Sequence, residues 1–104
     1  MKSDNSAFDP HDALVLYAAL SAGDKGITTQ GIVLLSDYVE HSPSSGQAVD
    51  DSLEKLQETH FLMKRGRVYL ASRDAVSECG PRVAGQPVSA AITEVLRYLQ
   101  AQEG

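Results

Sequence analysis

Cysteine is nearly absent from this chain. Cys79 stands alone, so no internal disulfide can form, and a thiolate zinc site would need ligands that the sequence does not supply. Long apolar runs are missing too. None approaches the roughly 18 residues that a membrane span requires. The N-terminus also lacks the charged and apolar regions of a signal peptide, so a cytoplasmic address is expected. Base is scarce: nine Lys and Arg stand against fourteen Asp and Glu. The resulting net charge of −5 repels a phosphate backbone unless the positive groups gather on one face. No internal repeat or low-complexity tract breaks the chain into smaller units.

What remains is the composition of an ordinary folded domain. With 104 residues the chain is long enough for one core, and 42% hydrophobic against 22% charged residues sets it apart from disordered chains. The ends, "MKSDNSAFDP" and "AQEG", are polar or small and without a sustained period, so residues 1–9 are expected to be flexible.

The first helix is predicted over Pro10–Ala22. Asp9 is placed to cap it, Pro10 fits its first position, Asp12 favours the positive end of its dipole, and Gly23 supplies the stop. Ala13, Leu14, Leu16, Tyr17 and Leu20 form its apolar stripe. A turn follows, and Thr28 or Thr29 caps a second helix over residues 30–41, with Ile32, Leu35, Tyr38 and Val39 facing inward. Gly31 weakens that helix by about 1 kcal/mol relative to Ala, which implies close packing against a neighbour. Residues 42–46 break the pattern, and a third helix is predicted over residues 47–59, capped by Ser44 or Ser45, with Val49, Leu53 and Leu56 inward.

"HFLMKRGRVYLAS" changes the period to two. Phe61 and Met63 alternate with Leu62 and Lys64, Arg65-Gly66 makes a turn, and Val68 and Leu70 alternate with Arg67 and Tyr69. Two strands are marginal alone, so this hairpin must lay an apolar side on the helices. Residues 73–87 mix short helical potential at 74–78 with Gly80-Pro81 and Gly85, and are read as a connecting segment. Val88, Ala91, Ile92, Val95, Leu96 and Leu99 then stand at i, i+3, i+4, i+7, i+8 and i+11, which predicts a last helix over residues 88–102.

Helix, short helix, helix, hairpin is the order of a winged helix-turn-helix domain, and residues 10–72 resemble one. The resemblance rests on "LEKLQETHFLMKRGRVYLAS", where a helix with Leu53 and Leu56 runs through His60-Phe61-Leu62 into strands around a basic turn. It implies a mainly α fold with a small β-hairpin, to which the last helix is added. It does not choose among functions, since winged helices serve as transcription regulators, docking modules and dimerisation units.

In DNA-reading members the third helix enters the major groove. Here it carries Asp50, Asp51, Glu54 and Glu58 with only Lys55 to oppose them, and carboxylates are repelled by nearby phosphates. The four acids are either a solvated face or a docking face for a protein with a basic surface. The wing differs: Lys64, Arg65, Arg67 and Arg73 fall within ten residues, and they either grip phosphates or guard an exposed edge strand. Val88, Ile92, Val95 and Leu99 offer a stripe for a homodimer, or for the chain's own core.

Chemistry has little footing. His11, His41 and His60 are scattered, no two at metal-binding spacing, and Asp37 and His41 at i, i+4 are a surface pair rather than part of a triad with Ser36. No phosphate loop or nucleophile elbow is visible, so neither enzyme activity nor a metal or cofactor is expected. Two functions remain. One is a regulatory or protein-interaction module that docks its partner on the third helix; the other is a small dimeric DNA-binding transcription regulator that uses the wing.

Overall fold

The computed structural model describes residues 8–40 and 46–102. Among them the elements run α1 (Pro10–Ala22), a 3₁₀ turn (Gly23–Lys25), α2 (Thr29–Glu40), α3 (Gly46–Glu58), β1 (Leu62–Arg65), β2 (Val68–Ala71), α4 (Arg73–Val83) and α5 (Val88–Gln102). The fold is mainly helical with a small two-stranded antiparallel sheet. His41, the breaking residues 42–45 and the caps Ser44 and Ser45 lie outside the described residues, as do residues 1–7 and 103–104.

The centre is α1. Its start is locked by a reciprocal pair of bonds: Asp12 N–H donates to Asp9 Oδ1 and Asp9 N–H donates to Asp12 Oδ2, both at 3.0 Å. Residues 12–16, 18 and 19 are all buried, with Tyr17 and Leu20 packed at the margin. A helix that is apolar almost all round belongs inside, and α5, α3, α2 and β2 cover α1 from different sides. The approach to α1 is part of the core as well. Phe8, inside the segment expected to be flexible, is only 4% exposed and packs edge-to-face on Phe61, with ring centroids 5.6 Å apart.

Thr28 caps α2, its Oγ1 accepting from Gly31 N–H at 3.1 Å. Gly31 has no room for a side chain, since a Cβ there would come within 2.8 Å of Ile27 Cγ1. Gly26, with φ +74°, lets the chain lie against β2, where a Cβ would meet Tyr69 O at 3.0 Å. Ile27 and Tyr69 then exchange backbone hydrogen bonds of 2.8 and 2.9 Å, an isolated bridge on the open side of β2. The inward line of α2 is Ile32 and Ser36, flanked by Leu35 and Val39. Tyr38, expected to face inward, is 72% exposed, because it lies about 200° of helix turn beyond the buried Ser36.

Val49, Leu53 and Leu56 of α3 are buried as their spacing requires. The helix ends with Phe61 N–H donating to Leu56 O and His60 N–H to Gln57 O, an arrangement that places His60 at φ +68°. That left-handed position usually falls to glycine. The hairpin pairs Leu62 with Ala71, Met63 with Leu70, Lys64 with Tyr69 and Arg65 with Val68, so the turn residues are Gly66 and Arg67, one position later than the sequence suggests. Leu62 and Tyr69 point into the core, whereas Met63 is 51% exposed.

Residues 73–83 are a helix, not part of a linker. Ser72 caps it by accepting from Ala75 N–H at 3.2 Å, and Ala75 and Cys79, one turn apart, are buried. Pro81 falls in its last turn, and Gly80 before it adds no Cβ to crowd the proline ring. In α5, Ala91, Val95, Tyr98 and Leu99 are buried against α1 and α4. Val95 and Leu99 are therefore core residues of the chain itself and are not available as a dimer surface; Val88 and Ile92 of the same stripe are half-buried.

Candidate functional site

The four carboxylates of α3 are placed by helical geometry. At about 100° per residue, Asp50, Glu54, Glu58 and Asp51 fall within an arc of about 100°, on the side turned away from Val49, Leu53 and Leu56. All four are exposed. Gln47 lies on the same arc and donates from Nε2 to Asp51 Oδ1 at 2.8 Å. No apolar side chain interrupts this strip.

Lys55 is the one base on this helix. Its Nζ reaches across to α1 and donates to Asp12 Oδ2 at 2.7 Å, and that carboxylate is 1% exposed. The buried anion draws the ammonium toward α1, while the four carboxylates of the outward face are open to water. Beside this pair, His11 Nδ1 and Ser52 Oγ are 2.9 Å apart, while His11 Nε2 is buried without a partner among the described residues. Ser52 is itself buried, so the pair joins α1 to α3 and does not present a nucleophile. Asp9, His11, Asp12, Asp51, Ser52 and Lys55 share one shallow concavity of about 410 Å³ at the edge of the acidic strip.

The basic residues of the hairpin and of the start of α4 are exposed as well. Lys64 on β1 lies 5.9 Å from the ring centroid of Tyr69, its cross-strand partner, while Arg65 and Arg67 flank Gly66 at the tip. Arg73 opens α4. The molecule therefore carries an acidic strip on one helix and a basic group on the hairpin and α4.

A larger concavity of about 520 Å³ lies where α3 ends against α4 and α5, bordered by His60, Phe61, Asp74, Glu78 and Tyr98. Phe61 and Tyr98 meet edge-to-face at 5.6 Å. Burial raises the Tyr98 hydroxyl above its ordinary pKa of 10.0, and the Cys79 thiol and the Asp74 and Glu78 carboxylates add to the shift. Cys79 beneath it is pushed from 9.0 to about 11, again chiefly by burial. A thiol so raised is a poor nucleophile. Among the described residues no three His, Cys, Asp or Glu side chains converge where they could hold a metal ion, and no helix is long and apolar enough to cross a membrane.

The acidic strip and the basic hairpin were both readable from residue type. The Lys55 to Asp12 and His11 to Ser52 pairs were not, being 43 and 41 residues apart in sequence. Compared with protein families, curated proteins and solved structures, the chain matches none.

Proposed function

We propose that this chain is a non-enzymatic winged-helix module that docks a protein with a basic surface through the outward face of α3. The order of three helices and a hairpin supports the fold assignment, and so does the bridge from Ile27 to Tyr69, which sets the segment before α2 beside the hairpin. One observation carries the functional reading. Asp50, Asp51, Glu54 and Glu58 are exposed on one arc while Lys55, the one base of that helix, is turned to Asp12. A face so charged is steered toward cations and away from phosphates.

The test is a titration of the full chain with a short arginine-rich peptide at low and at physiological salt. Binding that weakens with salt, and that falls by about tenfold or more in the Asp51→Lys/Glu54→Lys variant, is the expected result. Equal binding by parent and variant would remove α3 from the interface.

The exposure of Lys64, Arg65, Arg67 and Arg73 favours a second reading, a small dimeric DNA-binding regulator that grips phosphates with its wing. That reading needs the acids of α3 to lie off the duplex.

A further inference from the structure

We infer that the outward face of the hairpin, together with the start of α4, is a groove for an acidic protein segment carrying an apolar anchor. Met63 and Leu70 are cross-strand partners, and Arg65, two residues beyond Met63, stands on the same side of the sheet. Arg73 and Val76, one turn apart on α4, form the facing wall. These residues border a concavity of about 360 Å³. That lies near the lower end of the range of about 300–1,000 Å³ for ligand pockets, and suits one or two side chains rather than a folded surface.

Two features define the occupant. The first is apolar exposure: Met63 is 51% and Val76 50% exposed, although each is large enough to gain by burial. Methionine and arginine are enriched in protein interfaces, and methionine adapts its shape to what it meets. The second is charge. Arg65 and Arg73 offer two guanidiniums against the single carboxylate of Asp24 at the far rim, and guanidinium binds carboxylate in a two-point geometry.

Together these select among partners. A nucleic-acid backbone would satisfy the arginines but would leave Met63 and Val76 without an apolar counterpart. A second copy of the chain could offer its α3 strip, but Gln47, Asp50, Asp51, Glu54 and Glu58 include no apolar side chain to enter the groove. An acidic segment with a Leu, Phe or Met among its carboxylates satisfies both features. This surface is distinct from the α3 strip and of opposite sign, so the module has the means to hold two different partners.

The experiment is selection of a random peptide display library on the immobilised full chain, on Met63→Ser/Val76→Ser, and on Asp51→Lys/Glu54→Lys. Circular dichroism melting first checks that each variant is folded; both groove residues are exposed, so their replacement should leave the fold intact. The parent should enrich peptides combining Asp or Glu with a large apolar residue. The best of them should bind the groove variant about tenfold or more weakly and the α3 variant undiminished. Arg65→Glu/Arg73→Glu should also abolish its binding. Absence of acidic-apolar enrichment would overturn the proposal, as would equal affinity for the groove variant, or displacement of the peptide by a random duplex DNA at lower concentration than by unlabelled peptide. Enrichment of basic peptides that depend on Asp51 and Glu54 reports on the α3 strip alone.

Discussion

Lys55 Nζ sits 2.7 Å from Asp12 Oδ2, tying the last turn of α3 to the first turn of α1. The carboxylate is buried and the ammonium is partly open to water, so the pair lies between a surface bridge and a fully buried one. Removing the cation leaves a desolvated anion that also accepts from Asp9 N–H. Lys55→Met should therefore cost about 1–3 kcal/mol, a figure already reduced for solvent screening. In a cycle with Asp12→Asn the coupling energy should be about 0.5–3 kcal/mol, measured by urea unfolding. A coupling near zero would mean that the contact does not hold in solution.

Phe8, Phe61 and Tyr98 form a chain of edge-to-face rings that joins the approach to α1, the entry to the hairpin and α5. Phe8→Ala should lower stability by about 3–5 kcal/mol, as for other buried aromatics. An unchanged denaturant midpoint would place Phe8 outside the core.

The thiol of Cys79 ties stability to alkaline pH. Its folded pKa is raised from 9.0 to about 11, mainly by burial, so the folded state holds its proton where the unfolded chain has lost it. The contribution is fully present below about pH 9 and is lost as pH rises toward 11; Tyr98, shifted in the same direction from 10.0, steepens the same fall. The thiol's share is about 3 kcal/mol at most. Unfolding free energies at successive pH values should decline more gently in Cys79→Ala than in the parent. Parallel slopes would show that the thiol is hydrated in the native state.

Truncation before Pro87 removes Ala91, Val95, Tyr98 and Leu99 from the core. Residues 1–86 alone should lack a cooperative thermal transition by circular dichroism, since several buried side chains of α1 lose their cover at once. A fragment that melts cooperatively would make α5 an appendage after all.

Much of this architecture could be read from the chain because its signals are local. Asp9, Pro10 and Gly23 bracket α1, Thr28 caps α2, and the spacing of Val49, Leu53 and Leu56 orients α3 correctly. Local signals also misled. Gly80-Pro81 reads as a break, yet both residues lie in the last turn of α4. Both faces of the hairpin carry apolar residues, so alternation could not say that Leu62 and Tyr69 go inward and Met63 outward; only packing against α1 and α3 decides. The acidic strip was legible in full, because exposure of charged residues opposite an apolar stripe follows from period alone. The partner that draws Lys55 toward α1 was not, because Asp12 reaches it only through the tertiary fold.

The central claim is that α3 faces a protein and not DNA, and the most direct test is a salt-dependent titration of the unmodified chain with random duplex DNA. Four exposed carboxylates where a reading helix would meet phosphates predict a Kd no tighter than about 10⁻⁴ M at physiological salt, the weak end of non-specific binding. In the same titration Asp51→Lys/Glu54→Lys should bind more tightly and with a steeper salt dependence, as two repulsions become two phosphate attractions. Tight, sequence-selective binding of a duplex by the unmodified chain, weakened by Arg65→Ala/Arg67→Ala, would contradict the account and establish a DNA-binding regulator led by its hairpin.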